Sequence, residues 1–123
     1  MSQRFEKGWQ VLEQTHPKAA QAVLEQLSTI APDFGRFLVE FGYGDIYARP
    51  GLDLKSREMI TIAALTAMGN AAPQLKTHIE AGLNVGLTRE QIVETIMQMA
   101  VYAGIPAALN ALSEAKEAFA GRD

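Results

Sequence analysis

Between Leu54 and Gly86 the chain reads LKSREMITIAALTAMGNAAPQLKTHIEAGLNVG, two runs with helical spacing parted by a short break that carries glycine and proline. In the first run Met59, Ile62, Ala63, Leu65, Thr66 and Met68 predict a broad, mostly buried helix surface; in the second, Leu75, Ile79 and Leu83 form a stripe. Such a pair reads as a helical hairpin, and the width of the first surface predicts that its helix is central. Glu58 falls early on the first arm and His78 in the middle of the second. A hairpin can bring this carboxylate and imidazole together, but their separation in sequence leaves that to the tertiary fold.

The remaining segments are also helical. Residues 3–14, with Phe5, Trp9 and Leu12 at spacings of three to four, predict a peripheral amphipathic helix, weakened by Gly8. Thr15 or His16 can cap a restart at Pro17. Lys18 to Ile30 predicts a second helix, and Asp33 to Phe41 a short third one whose Phe34, Phe37, Leu38 and Phe41 are expected to pack inward. GYGDIYARPG, residues 42–51, predicts an irregular connection, because its glycines permit tight geometry and Pro50 disfavours helix at Arg49. Asp53 is a candidate cap for the hairpin's first arm. Thr88 and Gln91 have the spacing of a capping box for a helix to about Tyr102. Gly104 and Pro106 then precede a last helix, roughly Ala107 to Phe119, carrying Leu109, Leu112 and Phe119. The result is an all-α chain.

With 123 residues, 48% of them hydrophobic and 20% charged, the chain is expected to form one domain, residues 1–123, with residues 1–14 as its outlying helix. A short helical chain this apolar is a candidate for continuing its core into a second copy. The net charge of −3 comes without a basic tract, which argues against a nucleic-acid surface. No run of about 18 apolar residues is uninterrupted, so no membrane span is expected and a soluble, cytoplasmic location is the default. Cysteine is absent, which removes disulfides, thiol nucleophiles and cysteine metal sites. Two histidines, His16 and His78, with no thiol make a metal centre improbable.

The chemistry open to the polar residues is limited. Glu58 is either an exposed acid favoured by the first turn of its helix or, if it faces His78, the group that sets the imidazole's tautomer or charge. Arg49, Tyr43, Asp45 and Tyr47 stand in or beside the irregular connection and either line a pocket or serve the connection itself. Gln74 and His78 are four apart and share a helix side, as do Lys76 and Glu80. Tyr102 and Asn110 flank the last break, as pocket residues or as interhelical hydrogen-bonding groups.

GDIYARPGLDLKSREMITIAAL, QLKTHIEAGLNVGLTREQI and MAVYAGIPAALNAL, in this order, resemble the carboxymuconolactone decarboxylase family, which also contains the AhpD-like alkylhydroperoxidases. The resemblance covers roughly Pro32 to Phe119. It implies an AhpD-like fold of about six to seven helices around a central hairpin, and homo-oligomers built from rings or stacked trimers, commonly hexamers. It places His78 at the family's active-site histidine and Glu58 at the carboxylate position of the thiol-dependent branch. That branch carries Cys-x-x-Cys-x-x-x-His, where this chain has Ala71, Gln74 and His78. Without thiols a peroxidase cycle cannot run here. The cysteine-free branch converts 4-carboxymuconolactone to the β-ketoadipate enol-lactone without metal or organic cofactor. The resemblance thus implies a small anionic lactone as substrate, His78 as proton donor or general acid/base and Glu58 as its partner. Arg49 or Arg57 would bind carboxylate or lactone oxygens, with Tyr47 and Tyr102 as further pocket residues. A non-catalytic oligomeric binding or stress-related protein is the alternative.

Overall fold

A computed structural model describes the whole chain, residues 1–123, as helices and turns without strands. The helices cluster into two compact units, Met1–Leu54 and Lys55–Asp123.

In the first unit, α1 (Gln3–Thr15) starts at Ser2, whose hydroxyl accepts from the Phe5 amide at 3.1 Å. His16 turns the chain: its amide closes the end of α1, and its Nδ1 accepts from Ala19 at 3.4 Å to cap α2 (Pro17–Ser28). Next come α3 (Pro32–Phe37) and a π-helix, Leu38–Tyr47. The irregular connection predicted from Gly42 onward is therefore helical to Tyr47, with the wider five-residue repeat still visible where Ala48 N bonds to Tyr43 O at 3.0 Å. Two glycines fit this segment against α1. A Cβ on Gly8 would collide with the carbonyl of Val39, and one on Gly44 with the carbonyl of Arg4, so α1 and the π-helix touch backbone to backbone. Gly8 thus costs α1 some propensity and permits its packing.

Leu12, Ala20 and Val39 form this unit's core, with Phe5, Trp9, Leu24 and Tyr43 against it. Glu40 is buried; it accepts from the Ser2 hydroxyl and sits 3.5 Å from Arg36 Nε. Arg4 and Asp45 pair through two bonds of 3.0 and 2.7 Å. Phe34, Phe37, Leu38 and Phe41, expected to pack inward, are exposed instead. They share one helix side, while Val39 and Glu40 take the inward one.

In the second unit, α4 (Leu54–Met68) begins directly after Asp53, and α5 (Ala72–Asn84) follows a break at Gly69, whose φ of 73° suits glycine. The Thr88–Gln91 capping box is present with both bonds at 3.0 Å and opens α6 (Arg89–Ala103). Gly104 alone, at φ 101°, joins α6 to α7 (Ile105–Ala120). Pro106 lies in the first turn of α7, where its missing N–H costs nothing.

The core of this unit joins Ile62, Leu75, Ile79, Leu87, Ile92 and Ile96 to four alanines of α7. Ala108, Ala111, Ala115 and Ala118 repeat at three- and four-residue steps and let the neighbouring helices approach closely. Leu109, one of the large apolar residues of this helix, is 60% exposed on the other side. The expectation for α4 also changes. Its buried line is narrow, Glu58–Ile62–Thr66, and Ile60 and Met68 stand in solvent. One helix side is all that the other helices of this unit cover.

Candidate active site

Two elements build the site. Glu58, in the second turn of α4, is the first member of the buried line, and burial leaves 0% of it exposed. His78, midway along α5, points its Nδ1 at Glu58 Oε1 at 2.7 Å. Backbone shape makes room for the pair. Gly82 lies one turn beyond His78, and an ideal Cβ there would stand 3.8 Å from Glu58 Cβ, 3.4 Å from Ile62 Cδ1 and 2.9 Å from Leu87 Cδ1. The missing methyl lets α4 settle onto α5 at the level of the carboxylate.

An ionised carboxylate accepts, so with Glu58 ionised the 2.7 Å bond is a donation from Nδ1–H and Nε2 is the ring's other nitrogen. No hydrogen bond within the chain engages Nε2, and the His78 side chain is 18% exposed. The second carboxylate oxygen, Oε2, is buried without a hydrogen-bond partner. A buried acceptor left unmatched costs about 1–3 kcal/mol. An incompletely satisfied polar side chain at the head of a buried packing line is poor structural economy, and such groups concentrate at functional sites.

Arg57 precedes Glu58 on α4 and is partly buried, its carbonyl accepting from the Thr61 hydroxyl at 2.8 Å. Tyr102, on α6, is 84% exposed and makes no hydrogen bond within the chain. Tyr47 and Arg49 belong to the other unit: Tyr47 ends the π-helix with its ring 4.8 Å from that of Tyr43, and the Arg49 amide closes a turn onto Ile46 O at 3.1 Å. Asp45 is committed to Arg4, whose hydrogen bonds hold the Asp45 carboxyl below its ordinary value. The structure thus joins Glu58 to His78 directly.

Two hollows lie in the second unit. The larger, about 760 Å³ and open, is lined by Met59, Thr88, Glu90, Gln91, Glu94 and Thr95 among others. The smaller, about 30 Å³, is bounded by Thr66, Ala71, Leu75, Asn110 and Glu114 among others. His78 lines neither. Sequence reasoning passed over Gly82, although a glycine four residues after the histidine, inside a helical run, is a signal of close approach. It had no means of finding the unmatched oxygen of Glu58.

No group of three or more metal-ligating side chains is assembled, and no helix is long and apolar enough to cross a membrane. The all-helical frame buries a carboxylate against an imidazole in a chain without cysteine. The model of the carboxymuconolactone decarboxylase family matches residues 32–117, and this chain belongs to that family. It is 36% identical over 118 residues to the 4-carboxymuconolactone decarboxylase of Acinetobacter baylyi, covering 95% of this chain and 87% of that protein. An uncharacterized 15.0 kDa protein of Paracoccus denitrificans is 32% identical over 132 aligned positions, covering 100% of this chain and 98% of that one. Nitrosuccinic acid decarboxylase of Metarhizium robertsii is 32% identical over 75 residues, 61% of this chain and 52% of its own length.

Proposed function

We propose that this chain is a cofactor-independent decarboxylase of a small carboxylated lactone, with 4-carboxymuconolactone as the substrate to try first. The observation that carries the reading is the fully buried Glu58 bonded to His78 Nδ1 at 2.7 Å, which leaves Nε2 as the working atom. The two relatives named as decarboxylases support the reaction class.

The bond from the ring carbon to its carboxylate breaks and carbon dioxide leaves. The electron pair moves through the conjugated double bond onto the lactone carbonyl oxygen. His78, protonated on both nitrogens, then delivers the Nε2 proton to the carbon next to that carbonyl, restoring the lactone with its double bond moved. Solvent returns the proton to the ring. Glu58 holds Nδ1–H throughout, so the imidazole keeps its orientation and its charged form has a counter-ion. Arg57 is assigned to binding a substrate carboxylate, and Arg49, Tyr47 and Tyr102 are candidates for the same task on their chemistry alone.

We also assign the protein to a homo-oligomer, a trimer-based hexamer in the first instance. Phe34, Phe37 and Phe41 in the first unit stand in solvent at helical spacing, and Val101 and Tyr102 at the end of α6 with Ile105 and Leu109 on α7 leave further large apolar side chains exposed. Such stripes are costly on a lone chain and are covered on assembly.

Direct product detection on a panel of carboxylated lactones, without added metal or reductant, tests the reaction. Turnover by the intact protein and its loss in His78→Ala are expected. Unchanged turnover in that variant would remove His78 from the mechanism, and an inert wild-type protein would favour a binding role.

A further inference from the structure

The proposed reaction needs a proton donor for carbon and a group that holds the charge on oxygen; with Arg57 assigned to a substrate carboxylate, the second place is open. When carbon dioxide leaves, negative charge arrives on the lactone carbonyl oxygen, while the proton goes to the carbon beside it, two bonds away. His78 Nε2 serves the carbon. A donor for the oxygen has to reach the same small region from nearby, because charge developing on that oxygen is stabilised by a hydrogen bond already in position.

We infer that Gln74 is that donor, its side-chain amide N–H aimed at the lactone oxygen beside His78 Nε2; the inference rests on the decarboxylase reading above. Gln74 stands on α5 one turn before His78, and residues four apart on a helix lie side by side, about 5–6 Å between Cβ atoms. Glu58 occupies the Nδ1 edge of the ring, so the Nε2 edge is the free one. Gln74 is exposed and makes no hydrogen bond inside the chain, so neither amide hydrogen is committed elsewhere. Its neighbours are less suited. Lys76 is turned from this side and lies 4.0 Å from Glu117, while Ala71 and Ala72 carry no polar side-chain atom.

The division of labour is then complete for each atom that changes. The C–C bond breaks, its electron pair reaches the carbonyl oxygen and is held there by the Gln74 amide, and the enolate collapses as the carbon takes the His78 proton. Gln74 gives up no proton and needs no partner group. A neutral amide suits this place: it stabilises charge as it forms, and it does not capture the resting substrate's carboxylate as an ammonium would.

Gln74→Met is the informative change, since it preserves length and helix propensity and removes only the donor. Three readouts on the full-length protein decide the matter. With 4-carboxymuconolactone, kcat is expected to fall about 10²-fold or more with KM within about twofold of wild type, as for loss of an oxyanion donor. Binding of tetronate, the enolate anion of a five-membered lactone, should weaken by about tenfold or more, while binding of neutral butenolide stays the same. Thermal unfolding should be unchanged. Equal kcat in variant and wild type overturns the assignment of Gln74 alone and leaves the decarboxylase reading standing. A fall in kcat accompanied by a lower melting point and unaltered tetronate binding also overturns it, in favour of a packing role. A wild-type protein inert towards the lactone overturns both.

Discussion

Truncating His78 to alanine strips a completely buried carboxylate of its single hydrogen bond. In the intact protein Glu58 Oε1 is met by Nδ1 at 2.7 Å, and Oε2 has no partner. After His78→Ala both oxygens lack one. Removing one member of a buried charge pair typically costs about 3–5 kcal/mol, most of it the penalty of the charge left behind. Against a total stability of about 5–15 kcal/mol for a domain, that is a large share. The origin of the loss makes a second variant decisive. Glu58→Leu combined with His78→Ala removes the stranded charge and fills its place with apolar volume beside Ile62 and Leu87. Most of the lost stability should return, because exchanging a buried ion pair for well-packed hydrophobic groups is often neutral or stabilising. Urea unfolding of wild type, both single variants and the double variant, at one protein concentration, closes the cycle. A coupling of about 2–4 kcal/mol is expected. Additive single effects, or a His78→Ala cost below about 1 kcal/mol, would show that Glu58 is not held by His78, and the proposed orientation of Nε2 would fall with it.

Gly8→Ala should destabilise by about 1–3 kcal/mol in denaturant melts despite the better helix former, because its methyl meets the rigid Val39 carbonyl. Gly82→Ala should stay within about 1 kcal/mol of wild type, since the closest atom it meets is the movable end of Leu87; equal losses at both sites would refute the backbone-contact argument. Asp45 is held below its ordinary value by its hydrogen bonds to Arg4, so this pair's contribution is in place above the free aspartate range and disappears as pH falls through the lowered folded value. Carboxyl titration by NMR should show Asp45 moving back up in Arg4→Met; an unmoved titration would remove Arg4 as the cause. Leu109→Ser, on an exposed site, should leave the melting of the isolated chain nearly unchanged and shrink the particle seen by light scattering. An unaltered mass would take Leu109 out of the assembly face.

Local signals in the chain carried a good deal. Helical spacing, the Thr88–Gln91 box, the proline-marked starts of α2 and α7 and the break at Gly69 depend on residues within a turn or two of one another, and the structure has them where the sequence places them. The ends of α1, α2, α6 and α7 differ by at most two residues, as expected where capping competes with fraying, whereas the third helix ends at Phe37 and passes into the π-helix. The readings that changed concern which side of a helix is covered. Phe34, Phe37, Phe41, Met68 and Leu109 are apolar at helical spacing, so periodicity marks them as packing residues without saying what they pack against. The alanines of α7 were passed over for the opposite reason: small side chains carry little hydrophobic signal and win the interior through close approach. The close contact of α1 with the π-helix rests on two glycines 36 positions apart, Gly8 and Gly44, each needed because of the other's helix.

By itself the sequence determined the helical class, the two residue types of the candidate site and the exclusion of thiol chemistry, since each depends on local spacing or on composition. Only the tertiary structure decided that Glu58 faces inward, bonds His78 at 2.7 Å and leaves Nε2 and one buried carboxylate oxygen uncommitted. The physical reason is that a hydrogen bond between residues twenty apart depends on how two helices roll against each other. Here α4 and α5 meet with Ile62 and Glu58 lying over Gly82, a contact between positions twenty or more apart in the chain.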